Sequence, residues 1–221
     1  MAEAVNPRRA YNSSRRREQA AETRREILEA AQRLFERQGY AATTMAAVAA
    51  EAGVALKTVY VGFETKSGVL RALWNLLLRG DEESIPVADR QMYREVLEER
   101  DPERRLRLNA RNSRAGKLRV GAIAEVIRSA APGDPEIEAL WDRIETEYHA
   151  NQRAIVEGLA EKKALRAGLD VDRATDILWT LNPPTLWQLL VRQCGWTPDE
   201  YEQWTADTAC SQLLRATKKR S

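Results

Sequence analysis

The chain is poor in the groups that most protein chemistry requires. It holds one histidine, His149, and two cysteines, Cys194 and Cys210, which share no CxxC spacing. A single imidazole removes most acid/base and metal schemes, and His149 has no carboxylate or cysteine at ligand spacing. Two lone cysteines predict reduced thiols in a cytoplasmic protein, not a disulfide framework. HExxH, GxSxG, Walker loops and a GxGxxG after a strand are all missing. No paired carboxylates fall on an inward stripe, so no enzyme, cofactor or metal is expected. No apolar run approaches the ~18 residues of a membrane span. The longest candidate, 177–191, is broken by Asn182, Pro183 and Pro184, and no membrane partner is expected. The opening MAEAVNPRRAYN has no apolar core of the kind a secretory signal needs, so the NSS at Asn12 reads as a chance glycosylation match.

Alternating strand patterns bounded by hairpin turns are also lacking. What is present is helical. Of 221 residues, 43% are hydrophobic and 31% charged with the signs mixed, the profile of a soluble helix-rich chain. Net charge is only +2, but through Lys66 eleven basic side chains stand against eight acidic ones. The excess lies mainly before Ile27. A short basic arm of this kind is a nucleic-acid footprint or a solvated tail.

Ile27, Ala30, Ala31, Leu34 and Phe35 form one helical stripe that Gly39 ends. Met45, Val48 and Ala49 start a second, shorter stripe after an N-cap at Thr43 or Thr44. A very short helix spans Lys57 to Phe63, and Thr65 caps a fourth carrying Val69, Leu70, Leu73, Trp74 and Leu77. Further on, DPE at Asp101, DPE at Asp134 and TPDE at Thr197 each combine a capping oxygen, a proline and a first-turn acid. Asp170 or Asp172 opens another helix. The expected fold is all-α: a three-helix head with a helix-turn-helix and a larger helical body. The boundaries read as a flexible basic arm over 1–22, a head over 23–66, a body over 67–216 and a basic tail over 217–221.

From Met45, Ala49 lies four residues on, Gly53 eight and Val59 fourteen. Ala49 lets two helices approach closely, and Gly53 supplies the tight turn a helix-turn-helix needs. Val54 and Val59 pin the second helix, which leaves Lys57, Thr58, Tyr60 and Val61 facing outward. Such a helix fits the major groove. Lys57 and Thr58 suit base edges or phosphates, Val61 a thymine methyl, Tyr60 the sugar-phosphate wall, and Lys66 a phosphate. A helical hairpin within an ordinary bundle has the same spacing.

The run TRREILEAAQRLFERQGYAATTMAAVAAEAGVALKTVYVGFETKSGVLRAL, Thr23 to Leu73, resembles the DNA-binding region of the TetR family of transcriptional regulators. Its AAQRLFERQGY, its TT and its G…TVYxxF…K…L carry the likeness, and DILWTLNPPTLWQLLVRQCGWTPDEYEQWTADT resembles the dimerisation end of many members. The resemblance implies a dimeric all-α regulator, most often a repressor, that binds a roughly palindromic double-stranded operator and whose body takes a small effector. The candidate DNA-binding residues are Arg24, Thr43, Thr44, Ala55, Leu56, Lys57, Thr58, Tyr60, Val61 and Lys66. The chain departs from the family at Ala55, where a capping residue is usual, and at Gly62, where an aromatic or histidine is frequent.

In the body, Ile137, Trp141, Ile144, Tyr148, Asn151, Ile155 and Leu159 make one stripe, and Leu106, Asn109, Ser113 and Val120 another. Amides and hydroxyls on such lines need partners. Either they bond one another and nearby backbone, or with Trp74, Trp141 and Tyr148 they line a pocket for a partly apolar or aromatic effector. The pocket candidates are Trp74, Asn109, Ser113, Trp141, Tyr148 and Asn151. The last two helices are apolar on more than one face, which suits a homodimer or one large core. The dimer candidates are Trp179, Leu186, Trp187, Leu190, Ala206, Ala209 and Leu213. A constitutive DNA binder without ligand, or a helical adaptor that no longer binds DNA, are the alternative functions.

Overall fold

The computed structural model describes residues 7–79 and 91–215, with side chains over 15–78 and 91–215. The basic tail expected over 217–221 lies outside them. Among the described residues there are ten α-helices and no strand, only one isolated antiparallel bridge between Leu165 and Leu214. The chain divides into two compact units, one through Leu73 and one from Trp74.

The first unit contains α1 (Pro7–Ala42), α2 (Met45–Glu51), α3 (Leu56–Phe63) and the start of α4 (Lys66–Arg79). Of the flexible arm expected over 1–22, residues 1–6 lie outside the described residues, and from Pro7 onward the chain is helical. The reason is composition, because RRREQAAETRRE is made almost wholly of arginine, glutamate, glutamine and alanine, all good helix formers. Gly39 interrupts α1 at φ 77°, the left-handed region that a glycine enters without strain. Ile27, Ala30, Ala31, Leu34 and Phe35 are buried as the stripe predicts. Thr44 is the N-cap of α2, its hydroxyl accepting from the Ala47 N–H at 3.1 Å.

Gly53 sits at φ 68° with open space where a Cβ would lie, so backbone conformation and not crowding requires it. Around it Val54 N–H donates to Ala49 O and Gly53 N–H to Ala50 O, the paired bonds of a Schellman ending. The junction of α3 and α4 obeys a different constraint. A Cβ on Gly68 would stand 2.2 Å from the carbonyl oxygen of Phe63, so only glycine lets the first turn of α4 lie against the end of α3. Thr65 caps that turn, accepting from the Gly68 N–H at 2.9 Å.

The second unit holds α5 (Gln91–Glu98), α6 (Pro102–Ala130), α7 (Pro135–Glu161), α8 (Val171–Thr180), α9 (Pro184–Trp187) and α10 (Pro198–Leu213). π-helical turns over Gln188–Gln193 extend α9. Asp101, Asp134 and Asp170 cap α6, α7 and α8, and Thr197 with Glu200 forms a reciprocal capping box on α10. The core gathers Tyr93, Val96, Leu106, Ile155, Val156, Leu159, Ala174, Leu178, Ala209 and Leu213. Arg105, only 4% exposed, threads this core and donates to the carbonyls of Leu97 (2.5 Å) and Glu99 (3.1 Å). Its guanidinium thus receives the orphan carbonyls at the end of α5, and Gly158 leaves it room, since a Cβ there would lie 1.8 Å from Nη1.

Four of the residues expected at a dimer interface are instead interior to this unit. Trp187, Ala206, Ala209 and Leu213 are all at most 3% exposed. The small side chains of α10 permit close approach of α6 of the same chain, and Trp187 meets the Tyr201 ring edge-on with centroids 5.0 Å apart. Trp179, Leu186 and Leu190 are half-buried.

Two substitutions test these local constraints by thermal unfolding of the full chain. Gly68→Ala must displace the Phe63 carbonyl and is expected to destabilise by about 1–3 kcal/mol. Ala55, the N-cap of α3, has extended backbone and no side-chain cap bond. Ala55→Ser is therefore expected to stabilise by about 1 kcal/mol; an unchanged or lowered melting temperature would show that the α3 terminus is already satisfied.

Candidate nucleic-acid interface and body cavity

Between α2 and α3 the chain bends by 114°, within the range of helix-turn-helix pairs. Helix α3 buries two side chains, Val59 and Phe63, one turn apart on one face. Ala55, Leu56, Lys57, Thr58, Tyr60, Val61 and Gly62 are all exposed, Val61 at 77% and Tyr60 at 49%. Val54, expected to pin α3 alongside Val59, is only half-buried, and Phe63 supplies the second anchor. Lys57 forms no ion pair or hydrogen bond with any described residue, so its charge is available to a ligand. Thr44 is also exposed, at the start of α2.

Three of the candidate DNA-binding residues are employed differently. Thr43 is fully buried and its hydroxyl donates to Gly39 O at 2.8 Å. It closes the break in α1 and has no surface to offer. Lys66 is drawn inward: Nζ donates to Tyr40 O at 2.8 Å and stands 4.1 Å from the centre of the Tyr40 ring. A carbonyl and a π face already hold this ammonium, so it braces α4 against the end of α1. Arg24 is exposed, but its Nη1 donates to Gly62 O at 2.9 Å and its guanidinium lies 4.3 Å over the Phe63 ring. It therefore ties α1 to the last turn of α3, a helix C-terminus where a cation is favoured. A methyl group added at Gly62 would meet nothing within 4 Å, so the face is open where the family often carries an aromatic.

The second unit contains a partly open cavity of about 200 Å³. Of the expected pocket residues, Trp74, Asn109, Ser113, Tyr148 and Asn151 line it, with Ile144 and Val120 from the same two stripes. Trp141 does not: the α7 wall begins one turn later, at Ile144 and Glu145, and Trp141 lies past its end. Several polar groups bond one another while still facing the cavity. Asn109 Nδ2 donates to Gln152 Oε1 at 3.0 Å, and the Tyr148 hydroxyl to Asn182 O at 3.0 Å. Burial holds the Tyr148 phenol well above its ordinary range, with Tyr201 adding to the effect, and pushes the Tyr93 phenol up to about 12.

Of the cavity residues that the sequence does not reveal, Lys117 and Asn182 are the most strongly coupled. Lys117, 9% exposed, occupies the inward line of α6 one turn after Ser113. Its Nζ donates to Ser113 Oγ at 2.6 Å and to Asn182 Oδ1 at 3.3 Å, and burial pulls its pKa down to about 7. Asn182, 1% exposed, stands in the break between α8 and α9. The spacing from Ser113 points inward at 117, but lysine reads as a solvated side chain. His149 lies outside the cavity lining, 3.6 Å from Asp176 Oδ1 and edge-on to Trp179. No group of three metal-ligating side chains occurs among the described residues.

The family model described as bacterial regulatory proteins, tetR family, matches residues 27–73. Over 63 residues the chain is 43% identical to the HTH-type transcriptional regulator TtgR of Pseudomonas putida, a match that covers 28% of this chain and 30% of that one. Over 60 residues it is 38% identical to the HTH-type transcriptional regulator AcrR of Shigella flexneri, covering 27% and 28%. The matched stretch thus spans less than a third of the length of these curated relatives. In fold the likeness extends further. A TetR transcription regulator from Haloarcula marismortui ATCC 43049 aligns over 88% of this chain and 100% of its own, with a TM-score of 0.66 at 18% identity. A SmeT–triclosan complex aligns over 90% and 93%, with a TM-score of 0.66 at 18% identity. The matched segment runs from within α1 to within α4 and includes the Gly53 turn and the exposed face of α3; over this N-terminal region the chain is similar to the tetR-family bacterial regulatory proteins, and over most of its length it shares their fold.

Proposed function

We propose that the protein is a homodimeric, sequence-specific DNA-binding transcriptional regulator, a repressor released when a small molecule enters the body cavity. The observation that carries this reading is the face of α3. A helix of eight residues that buries only Val59 and Phe63 and leaves Lys57, Thr58, Tyr60 and Val61 uncovered contributes little to a core and much to a groove. The outward side chains mix one cation, hydroxyls and a branched apolar group, which is what base edges, phosphates and thymine methyls require. Arg24, bonded to Gly62 O, is a positioning residue in this reading, as is Lys66.

One such helix makes too few contacts for a tight operator complex. Two copies on a two-fold axis read two half-sites of a palindrome. The body supports a dimer through the apolar side chains it leaves exposed: Leu118 on α6, Leu189 after α9 and Trp204 on α10. Trp179, Leu186 and Leu190, half-buried, extend the candidate face. The cavity supports ligand response, which demands different effector affinity in DNA-competent and DNA-free conformations.

Selection of bound sequences from random duplexes by the full chain is expected to enrich a palindrome. Thr58→Ala and Lys57→Ala are expected to weaken the selected complex, and if Lys57 contacts a phosphate its loss lowers the salt slope by about one. Absence of any enriched site across salt concentrations would favour a helical adaptor instead. Leu189→Glu, which leaves the buried core untouched, is expected to shift the sedimenting species from dimer towards monomer; an unchanged dimer would place the interface elsewhere.

A further inference from the structure

We propose that the ligand of the body cavity is an organic acid with a single carboxylate on a mostly apolar frame, seated on Lys117 and Asn182. The inference rests on the reading of this cavity as an effector site and names the chemistry it selects.

Lys117 is a buried ammonium without an anion. Its two hydrogen-bond acceptors, Ser113 Oγ at 2.6 Å and Asn182 Oδ1 at 3.3 Å, are neutral. The rings of Tyr201 and Tyr148, with centroids 5.5 and 6.0 Å away, offer only their π faces. Among the described residues no carboxylate comes within ion-pair distance of it; Glu145 and Glu147 of α7 reach the cavity wall but do not pair with Lys117. An ammonium has three donors, and two are engaged.

Asn182 provides an independent indication. Its Nδ2 is buried and has no acceptor. Turning the amide would not relieve this, because Oδ1 accepts from Lys117 as well as from the Ser113 hydroxyl at 2.5 Å, and a flip would set an NH₂ against the ammonium, which can only donate. Both Lys117 and Asn182 line the cavity. This end therefore carries a surplus of donors and, whenever Lys117 is protonated, an uncompensated cation; each buried group of that kind is costly until partnered, and an anion beside it favours the protonated form. A carboxylate accepts from both and supplies the missing charge, with a charge-assisted bond to the ammonium. A neutral carbonyl would satisfy the amide alone. The other walls, with Trp74, Val120, Ala124 and Ile144, suit the apolar remainder of the molecule.

The test uses the full chain and two matched pairs, octanoate with octanamide and 4-phenylbutyrate with 4-phenylbutyramide, measured by calorimetric titration. The wild type is expected to bind an acid at least about tenfold more tightly than its amide. Lys117→Met is expected to abolish that preference while retaining amide binding, which shows the cavity intact. Asn182→Asp, which places an internal carboxylate beside Lys117, is expected to lose acid binding too. Equal binding of acid and amide by the wild type, or a preference that survives Lys117→Met, overturns the inference and leaves the effector reading standing. Failure of all four compounds to bind overturns both.

Discussion

The body depends on a helix that is forbidden to continue. Pro183 and Pro184 carry no N–H, and a residue before proline is driven out of helical conformation, so α8 cannot run on into α9. Asn182 is left at the break with a carbonyl released from the helix ladder and a side chain turned to the interior, while its backbone N–H still donates to Trp179 O. Its carbonyl takes the Tyr148 hydroxyl from α7, and its side-chain oxygen takes Ser113 and Lys117 from α6, with the Tyr201 hydroxyl of α10 at 3.5 Å. Three long helices thereby converge on one residue of a fourth segment. The cavity is open beside this junction because the junction is polar and cannot close as a packed apolar layer would.

In the N-terminal unit the governing constraint is steric. Helix α3 is held by two side chains and two glycine-dependent turns, one dictated by backbone angle at Gly53 and one by lack of space at Gly68. Because its stability comes from its neighbours, its remaining positions are released from packing. Arg24 and Lys66 illustrate how cations beside a candidate DNA surface are used to fix the scaffold: each commits its charge to a carbonyl and an aromatic face.

Much of this is legible along the chain because the relevant physics is local. The caps at Asp101, Asp134, Asp170 and Thr197 follow from a side-chain oxygen placed just before an apolar period, and Gly39 and Gly53 from the left-handed backbone they adopt. What escapes depends on partners distant in sequence. Helix α5 has only eight residues and no cap signature. Lys117 and Arg105 look like solvated cations until the carbonyls and hydroxyls that receive them are brought together. The apolar faces of α9 and α10 are consistent with a partner subunit or with α6, and for Trp187, Ala206, Ala209 and Leu213 the inner answer holds. Thr43 and Thr44 show the finest limit: adjacent hydroxyls, one buried on Gly39 and one exposed at a helix start, are separated only by the direction of a turn.

The contact of Lys66 with Tyr40 joins the end of α1 to the start of α4 without passing through the hairpin between them. The hairpin is thus a cartridge held in a frame. Its inward keys are few, chiefly Met45, Val48, Ala49, Val59 and Phe63, while the frame closes on itself. A lineage can therefore rewrite the outer letters from Ala55 to Gly62, Val59 excepted, almost independently of the rest of the chain, so that the exposed surface of α3 can change without any change in the packing that holds it.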